Sequence, residues 1–424
     1  MFLKSSGLPP FKGLQIVVFI VFFILAGAVN LARAQSAIKI ALVVPLDGPL
    51  APVGKDFLAG AQLAIDIANH RAVKVNSAKP KFELLVESDE VNHPHYKIWL
   101  EKLAQKFEQN KVLTVIGHLS TQGSWQASKV YRVKAIPFIS PLSSYQGLTL
   151  QGLNTSSTMS GTSTFRLVPT DAQLAHAMAQ HVLQNHKKQN IVVWHDGSVY
   201  GQILAEQFAQ SLLPYSRVQF TRLPAKQQAL GIFNDEFDLR HQLQLFTSNC
   251  SQQKVGNELC KSSKIDAIFM GATQDKVIAL KQLMNQFNLQ VPLYAVSIAS
   301  QEYIEWTISS DLKTTPAVSN VPSAVSIESW PMEPLAVTKH VLTKRLEAQN
   351  HRILMYAPYG FDAVNTVIAA YMQSPNNQSS QFLKQLSLVR HNGLTGTISF
   401  DANGDLKQPR FYFYRIKNNQ WLKL

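Results

Sequence analysis

Short apolar runs alternate with amphipathic stretches along most of the chain. Eight runs rich in β-branched residues are predicted to be strands, at residues 38–44, 82–86, 112–116, 136–139, 191–194, 218–221, 265–270 and 292–298. Apolar side chains between them recur at helical spacing, which puts each of three sets on one helix face: Phe57, Ala61, Ala64, Ile65 and Ala68; Trp99, Leu103 and Phe107; Ile203, Phe208 and Leu212. Buried strands separated by helices are typical of a parallel α/β sheet with helices on both faces.

The predicted strands fall into two series, one before about residue 150 and one from about 190 to 300. Two sheets of this size predict two Rossmann-like, doubly wound lobes. The polar stretch 143–164, rich in Ser, Thr and Gly, is predicted to be a loop that leads to a crossover. A Pro-rich region at 315–334 marks a second boundary.

Composition excludes disorder and gives no sign of nucleic-acid binding. The chain has 424 residues, of which 46% are hydrophobic and 16% charged, enough for large buried cores. Forty basic and 27 acidic residues give a net charge of +13. The basic excess is spread along the chain without a block of five or more Lys and Arg residues, so no nucleic-acid partner is predicted.

The N-terminus has the parts of a secretory signal. Lys4 and Lys12 precede an apolar run at 14–28, and Ala32-Arg33-Ala34 supplies small residues at a cleavage position. We predict a signal peptide at 1–34 that is cleaved after Ala34, which places the mature protein in the periplasm. An uncleaved membrane anchor is the alternative.

The two cysteines suggest an oxidising compartment. Cys250 and Cys260 have nine residues between them in a polar stretch, and this spacing in an exported protein predicts a disulfide that closes a short loop. The alternative is a pair of free thiols. A metal site would need more ligands than these two sulfurs.

The sequence lacks the common catalytic motifs. It has no phosphate-binding G-x-x-x-x-G-K-[ST], no H-E-x-x-H and no G-x-S-x-G. His93 and His95 lie near Asp89 and Glu90, which would suit a metal, but an exposed loop around Pro94 is the favoured interpretation. We therefore predict no enzyme activity, no metal and no cofactor.

Polar loops follow the predicted strands and open helices. In open α/β sheets, ligands bind beyond the carboxyl ends of the strands, and helix N-termini with Ser and Thr hydroxyls suit a carboxylate. Helix capping alone would explain any single loop. Asp196 follows His195 in one loop without a nucleophile beside it, so we assign that pair a loop role. The five loops are at 45–54, 117–124, 140–144, 196–200 and 271–275.

Five stretches resemble the periplasmic Leu/Ile/Val-binding proteins in the order in which that family carries them. They are IKIALVVPLDGPLAPVGKDFLAGAQLAIDIAN (38–69), VIGHLSTQGSWQASKVY (115–131), IPFISPLSS (136–144), VVWHDGSVYGQILAEQF (192–208) and GLTGTISFDANGDLKQPRFYFY (393–414).

The resemblance implies the type I periplasmic binding fold, in which three crossover strands join two α/β lobes. It places crossovers near 165–169, 325–330 and 396–400. Lobe 1 would contain 37–164 and 331–394, and lobe 2 would contain 165–330 and 395–424. The lobes would close around a small molecule and deliver it to an ABC transporter permease in the inner membrane.

The resemblance also implies ligand-binding residues. Thr121 matches the family's serine that holds the ligand carboxylate. Ser144 matches a threonine in the next loop, where Leu142 and Ser143 supply backbone groups. Tyr200 matches an aromatic residue from the second lobe.

Two further positions depart from the family pattern. Thr273 replaces a tyrosine, and Ser297 stands near the place of the acid that pairs the ligand's ammonium group. Asp275 and Glu302 are the nearest acids that could substitute. Val53 also replaces a large aromatic residue of the side-chain pocket. We therefore expect an amide or organic acid to fit better than free leucine, isoleucine or valine.

The sequence thus predicts a solute-binding protein for an ABC importer, with an amino-acid-like or carboxylate ligand. A sensor or a regulatory, interaction protein of the cell envelope with the same fold is the alternative.

Overall fold

The computed structural model describes residues 37–74, 80–150, 162–185, 189–212, 218–220, 231–232, 265–287, 289, 291–298, 324–328, 342–348, 356–375, 378–417 and 420–424. Its helices are α1 (Ala51–Lys74), α2 (Tyr96–Gln109), α3 (Thr121–Val133), α4 (Gly147–Leu150), α5 (Asp171–Asn185), α6 (Val199–Leu212), α7 (Gln274–Gln286), α8 (Leu342–Glu347), α9 (Ala357–Gln373) and α10 (Ser379–Leu388).

The first sheet has five parallel strands in the order β2-β1-β3-β4-β5. Its central strands are almost entirely apolar and buried, because helices cover both faces. The strands are β1 (Ile38–Val44), β2 (Phe82–Ser88), β3 (Thr114–Gly117), β4 (Phe138–Ser140) and β5 (Thr164–Arg166).

One face of the first sheet is covered by helices from both ends of the chain. α1 and α9 pack so closely that a Cβ at Gly60 would collide with the Ala357 carbonyl oxygen, and a Cβ at Gly360 would collide with the Phe57 carbonyl oxygen. The Asp56 carboxylate accepts hydrogen bonds from the backbone N–H groups of Tyr356 and Ala357, both at 2.8 Å. These bonds cap the first turn of α9 and fix it against α1.

The second sheet has the order β15-β14-β11-β10-β9-β6-β7, with β8 also paired to β6. The pairs β11–β14 and β14–β15 are antiparallel, and the other described pairs in this sheet are parallel. The strands are β6 (Gln189–His195), β7 (Val218–Phe220), β8 (Gly231–Ile232), β9 (Ile265–Gly271), β10 (Leu293–Val296), β11 (Ala324–Glu328), β14 (Tyr412–Lys417) and β15 (Gln420–Lys423).

Near the C-terminus, the segment between α10 and β14 connects the core of the first sheet to the second sheet. β12 (His391–Asn392) and β13 (Thr397–Ile398) form a small antiparallel pair. Ile398, Phe400 and Leu406 still pack in the core of the first sheet, and the chain enters the second sheet only at β14. The predicted division into lobes at 164, 330 and 394 stays a prediction.

The fold class is confirmed, and all eight predicted strands overlap strands of the structure. The predicted loop at 143–164 contains one short helix, α4, and residues 151–161 lie outside the described residues. The proposed signal peptide, Cys250 and Cys260 also lie outside them. Within the described ranges, no helix combines the length and the apolar character that a membrane span requires.

Candidate ligand-binding site

Thr121 lies at the N-terminus of α3, in the loop after β3. The Ser120 side chain caps this helix by accepting a hydrogen bond from the Gly123 N–H at 3.0 Å. Thr121 is exposed, so its hydroxyl and the first N–H groups of the helix are accessible to a ligand. This is the arrangement that the carboxylate prediction requires.

The loop after β4 lies beside the loop that carries Thr121. The Ser140 hydroxyl donates to the Ser124 hydroxyl at 3.0 Å. The rings of Trp125 and Tyr145 pack edge to face with centroids 5.2 Å apart. Ser144 directly precedes Tyr145 and is partly exposed. The predicted anchors Thr121 and Ser144 thus stand on two loops in contact with each other.

Leu142 and Ser143 support this second loop from inside. Leu142 is half-buried and packs on the core of the first sheet. Ser143 is buried, and its carbonyl accepts a hydrogen bond from the Arg166 guanidinium at 3.1 Å. The Ser143 hydroxyl is buried without a hydrogen-bond partner among the described residues.

Arg166 is fully buried at the end of β5, where its charge is compensated by Asp405. Its Nε donates to Asp405 Oδ1 at 2.5 Å, and its NH2 group donates to the Thr149 hydroxyl at 2.9 Å. Burial lowers the pKa of Arg166, while the Asp405 carboxylate counteracts this effect. The guanidinium therefore ties the loop after β4 to the segment that leads into the second sheet.

Asp171 is the acid that sequence reasoning missed. It is the first residue of α5 and is only 1% exposed. Its backbone N–H donates to the Ser144 carbonyl at 2.9 Å, and its carboxyl is hydrogen-bonded to the Ser144 side chain. Its Oδ1 is buried without a partner among the described residues. Burial raises the pKa of Asp171 from 3.8 to about 6, although Ser144 and Arg166 oppose the rise.

Tyr200 is the predicted ligand-binding residue that lies beside the second sheet. It lies in the first turn of α6 and packs partly buried against the core of the second sheet. Burial raises its pKa well above the ordinary value, and the negative charges of Asp171, Glu328 and Asp196 raise it further. Tyr200 therefore stays protonated and lies within the electrostatic reach of Asp171.

Thr273 and Asp275 form part of a helix start. The Thr273 hydroxyl donates to Asp275 Oδ1 at 2.5 Å, and the Thr273 N–H donates to Asp196 Oδ2 at 3.2 Å. Asp196 also accepts a hydrogen bond from the Ser198 N–H at 3.0 Å, so it connects the loops after β6 and β9. Asp196 therefore serves as a link between two loops, as predicted. The Asp275 carboxylate accepts a hydrogen bond from Thr273.

Ser297 follows β10 with a left-handed backbone, at φ 57°. Its N–H donates to the Ile327 carbonyl at 3.0 Å, and the next N–H donates to the Ser326 hydroxyl. That hydroxyl donates in turn to the buried Glu328 at 2.5 Å. Glu302 lies outside the described residues.

The predicted residues thus divide into two groups. The Thr121 loop contacts the Ser144 loop, and Asp171 is hydrogen-bonded to Ser144 and close enough to influence the charge state of Tyr200. Thr273 and Ser297 are bonded instead to Asp196 and to Ile327. Val53 is half-buried near the start of α1.

The sequence contains one signal for the position of Asp171, a helix-capping motif at the start of α5. Thr170 and Gln173 cap α5 reciprocally: the Thr170 hydroxyl accepts from the Gln173 N–H at 3.1 Å, and the Gln173 side chain accepts from the Thr170 N–H at 2.9 Å. The motif fixes where α5 begins and hence where Asp171 stands. It gives no sign of the burial that makes the carboxyl unusual.

The residues around His93 contain no metal site. His93 Nδ1 accepts a hydrogen bond from the His95 N–H at 3.0 Å, and both residues are exposed. In the part of the chain that the structure describes, no group of three or more His, Cys, Asp or Glu side chains is placed to hold a metal ion.

Two α/β sheets with ligand loops at their strand ends define the type I periplasmic binding fold, and solved structures with this fold match the chain over 92% of its length. One is a substrate-binding protein of an ABC transporter from Desulfitobacterium hafniense in complex with Leu, with a TM-score of 0.65, 18% identity and 100% of that chain covered. Another is a solute-binding protein from R. palustris in complex with benzoate, with a TM-score of 0.59, 15% identity and 96% coverage.

Sequence similarity supports the same class in the N-terminal half of the described fold. Residues 37–213 match the model of the periplasmic binding protein family. A Leu/Ile/Val-binding protein homologue from Brucella melitensis is 27% identical over 188 residues, which are 44% of this chain and 47% of the relative. The matched part is about half of that relative's length.

Proposed function

We propose that the protein is an extracytoplasmic solute-binding protein that captures a small ligand with both a carboxylate and an ammonium group. The observation that carries this proposal is the buried Asp171 carboxyl, whose Oδ1 has no partner among the described residues. Buried polar atoms in folded proteins are nearly always hydrogen-bonded, so an unsatisfied carboxyl oxygen between binding loops points to a missing ligand. An ammonium group would pair its charge.

The first-lobe loops suit the other end of such a ligand. The N-terminus of α3 offers N–H groups and the Thr121 hydroxyl to a carboxylate. The Ser144 side chain is hydrogen-bonded to Asp171, and the charge of Asp171 contributes to the raised pKa of the Tyr200 phenol. The expectation of an amide or organic acid rested on the lack of an acid at positions 273 and 297, and Asp171 removes that premise.

We further propose delivery to an ABC transporter permease, a periplasmic location after cleavage behind Ala34, and no catalytic activity. The support is the match of residues 37–213 to the periplasmic binding protein family model and the signal-like N-terminus. One structural neighbour is a substrate-binding protein in complex with Leu and another is a solute-binding protein in complex with benzoate, so small organic ligands are the class to test.

Thermal-shift and isothermal titration experiments with matched ligands test the proposal. L-Leucine carries both groups, 3-methylbutylamine lacks the carboxylate, and 4-methylpentanoate lacks the ammonium; the remaining common amino acids and benzoate complete the panel. A ligand that binds only the native state raises the melting temperature. We expect at least one amino acid to bind and its single-group analogues to bind at least about tenfold more weakly.

Asp171→Asn should abolish the preference for the amino acid over its deaminated analogue. Asp275→Asn is the matched control, since that carboxylate is exposed and serves Thr273. Equal binding of the amino acid and its deaminated analogue by the wild type would contradict the ammonium assignment. A panel without any stabilising ligand would contradict solute binding itself.

A further inference from the structure

A buried polar network lies directly behind the loop that carries Thr121. The His118 ring is fully buried: its Nδ1 lies 3.0 Å from the Tyr96 hydroxyl and 3.2 Å from Asp89 Oδ1, and its Nε2 lies 3.0 Å from the Tyr131 hydroxyl. The Tyr96 hydroxyl donates to Asp89 Oδ1 at 2.9 Å. Three side chains, from the loop after β2, from α2 and from α3, thus meet at one imidazole.

The hydrogen-bond partners assign the protons in this network. Since the Tyr96 hydroxyl donates to Asp89, its oxygen is free to accept from Nδ1–H of His118. Nε2 then accepts from the Tyr131 hydroxyl. Burial and the charge of Asp89 raise the pKa of both tyrosines far above the ordinary value, which keeps both hydroxyl protons in place. Each polar atom named here has a partner, so the network holds one arrangement.

The backbone at His118 requires such support. Gly117 has φ 141°, and a Cβ there would collide with the Val43 carbonyl oxygen. His118 has φ 34°, in the left-handed region that non-glycine residues seldom adopt. The chain therefore turns sharply where β3 ends, and the fixed imidazole ring holds that turn.

The network also contacts the other end of the loop. A Cβ at Gly123 would lie 3.2 Å from the Tyr96 hydroxyl and 3.3 Å from Asp89 Oδ2, so the first turn of α3 rests on these two groups. The Ser124 hydroxyl donates to the His118 carbonyl at 2.6 Å. Thr121 stands between two points that the network fixes.

We propose that His118 is a positioning residue for the ligand anchor Thr121: the ring, held by Asp89, Tyr96 and Tyr131, sets the path of residues 118–124. This inference rests on the proposed function only where it concerns ligand affinity. The loop geometry can be tested without a ligand.

The first test is hydrogen exchange of the ligand-free protein. The His118 N–H donates to the Val43 carbonyl of β1, and the Gly123 and Ser124 N–H groups donate to Ser120, so these three amides should exchange slowly. Tyr131→Phe and His118→Asn should each speed exchange of the peptide 118–124 by about tenfold. Asn tolerates a left-handed backbone, so His118→Asn mainly removes the ring contacts.

Tyr371→Phe is the matched control. Tyr371 is also a buried tyrosine of the first core, but it packs against Phe82 on the other face of the sheet. Exchange of 118–124 that is no faster in Tyr131→Phe than in Tyr371→Phe would overturn the proposal. Because the Tyr131 variant retains the ring and loses one hydroxyl, it is expected to fold even if His118→Asn does not.

The second test is a double-mutant cycle with L-leucine as the probe. Tyr131→Phe should weaken L-leucine binding by about 3- to 30-fold in the wild-type background and have almost no effect in a Thr121→Ala background. An equal loss in both backgrounds would overturn the link to Thr121. A wild-type protein that ignores L-leucine would count against this ligand, whereas the exchange experiment would still decide the positioning role.

Discussion

Arg166 and Asp405 form a fully buried ion pair between residues 239 positions apart in the chain. Arg166 ends the last strand of the first sheet, and Asp405 lies just before the chain enters the second sheet. The pair also holds Thr149 and the Ser143 carbonyl, so it organises one of the ligand loops.

Asp405→Ala should therefore be strongly destabilising. Removal of one partner leaves a buried guanidinium without its counter-charge, which typically costs about 3–5 kcal/mol. Chemical denaturation measures the loss. Glu108→Ala is the control, because Glu108 pairs with Lys134 on the surface and should contribute less than about 1 kcal/mol. Similar losses in both variants would show that Arg166 finds another partner.

Asp171→Asn should stabilise the ligand-free protein at neutral pH. The folded-state pKa of about 6 lies above the ordinary 3.8, so ionisation of this carboxyl opposes folding. At about 1.4 kcal/mol for each pKa unit, the effect is about 3 kcal/mol at most. It should be nearly complete above about pH 7, shrink as the pH falls through 6, and vanish below about pH 3, where the carboxyl is protonated in both states. Denaturation of both proteins at pH 4, 6 and 8 checks the sign, and a gain that does not depend on pH would contradict it.

Binding of an amino acid should weaken as the pH falls below about 6. In the proposed site the ammonium group would pair with ionised Asp171, so protons would compete with the ligand for this carboxyl. Affinity should fall by up to about tenfold per pH unit in this range. Titration calorimetry between pH 4.5 and 8 measures the profile. Binding to Asp171→Asn should be weak and nearly flat over the same range, and a wild-type profile that is also flat would rule out Asp171 as the partner.

Loss of a single anchor hydroxyl should weaken binding without unfolding the protein. Thr121→Ala removes a donor to the ligand carboxylate, and Tyr200→Phe removes a phenol beside Asp171. A hydrogen bond to a charged group contributes about 1.5–3 kcal/mol, or about 10- to 100-fold in affinity. Calorimetry gives the affinities, and circular dichroism confirms the fold. Unchanged affinity in both variants would place the ligand elsewhere.

The disulfide between Cys250 and Cys260 remains a prediction for residues outside the described ranges. A short closed loop should add about 2–3 kcal/mol in the chain-entropy account. Mass spectrometry of the protein purified from the periplasm without reductant should show neither thiol reacting with an alkylating reagent. Two alkylated cysteines would contradict the prediction.

The sequence pattern predicted the sheets well because buried strands require apolar residues, and runs of apolar residues can be recognised directly in the sequence. Strands such as β1 and β9 are continuous apolar runs between polar loops, and this leaves few other structures open to them. The loops that carry Thr121, Ser144 and Tyr200 were predicted from their place at strand ends, and the ligand-binding role of the three residues, taken from the family resemblance, stays a prediction.

The chemistry of Asp171 and His118 depends on three-dimensional surroundings instead. An Asp at the first position of a capped helix usually faces water, and only the packing of α5 against the Ser144 loop buries this one. The left-handed backbone of His118 has no sequence signature either, since the residue type seldom adopts it. The comparison with the family directed attention to position 297, whereas the buried carboxyl of Asp171 stands at the start of α5.

The contact between Asp56 and the start of α9 joins residues 300 positions apart, and it imposes an order on assembly. During synthesis or export, the chain through β11 would leave the apolar face of α1 without its partner helix. That face and one side of the first sheet can be covered only after residues 356–388 have been synthesised. The core of the first sheet, which begins with the earliest part of the described chain, is therefore among the last parts to be completed. Contacts between residues so far apart in sequence also slow folding. Chains truncated before α9 should expose the apolar face of α1 and should be bound by chaperones or degraded by proteases.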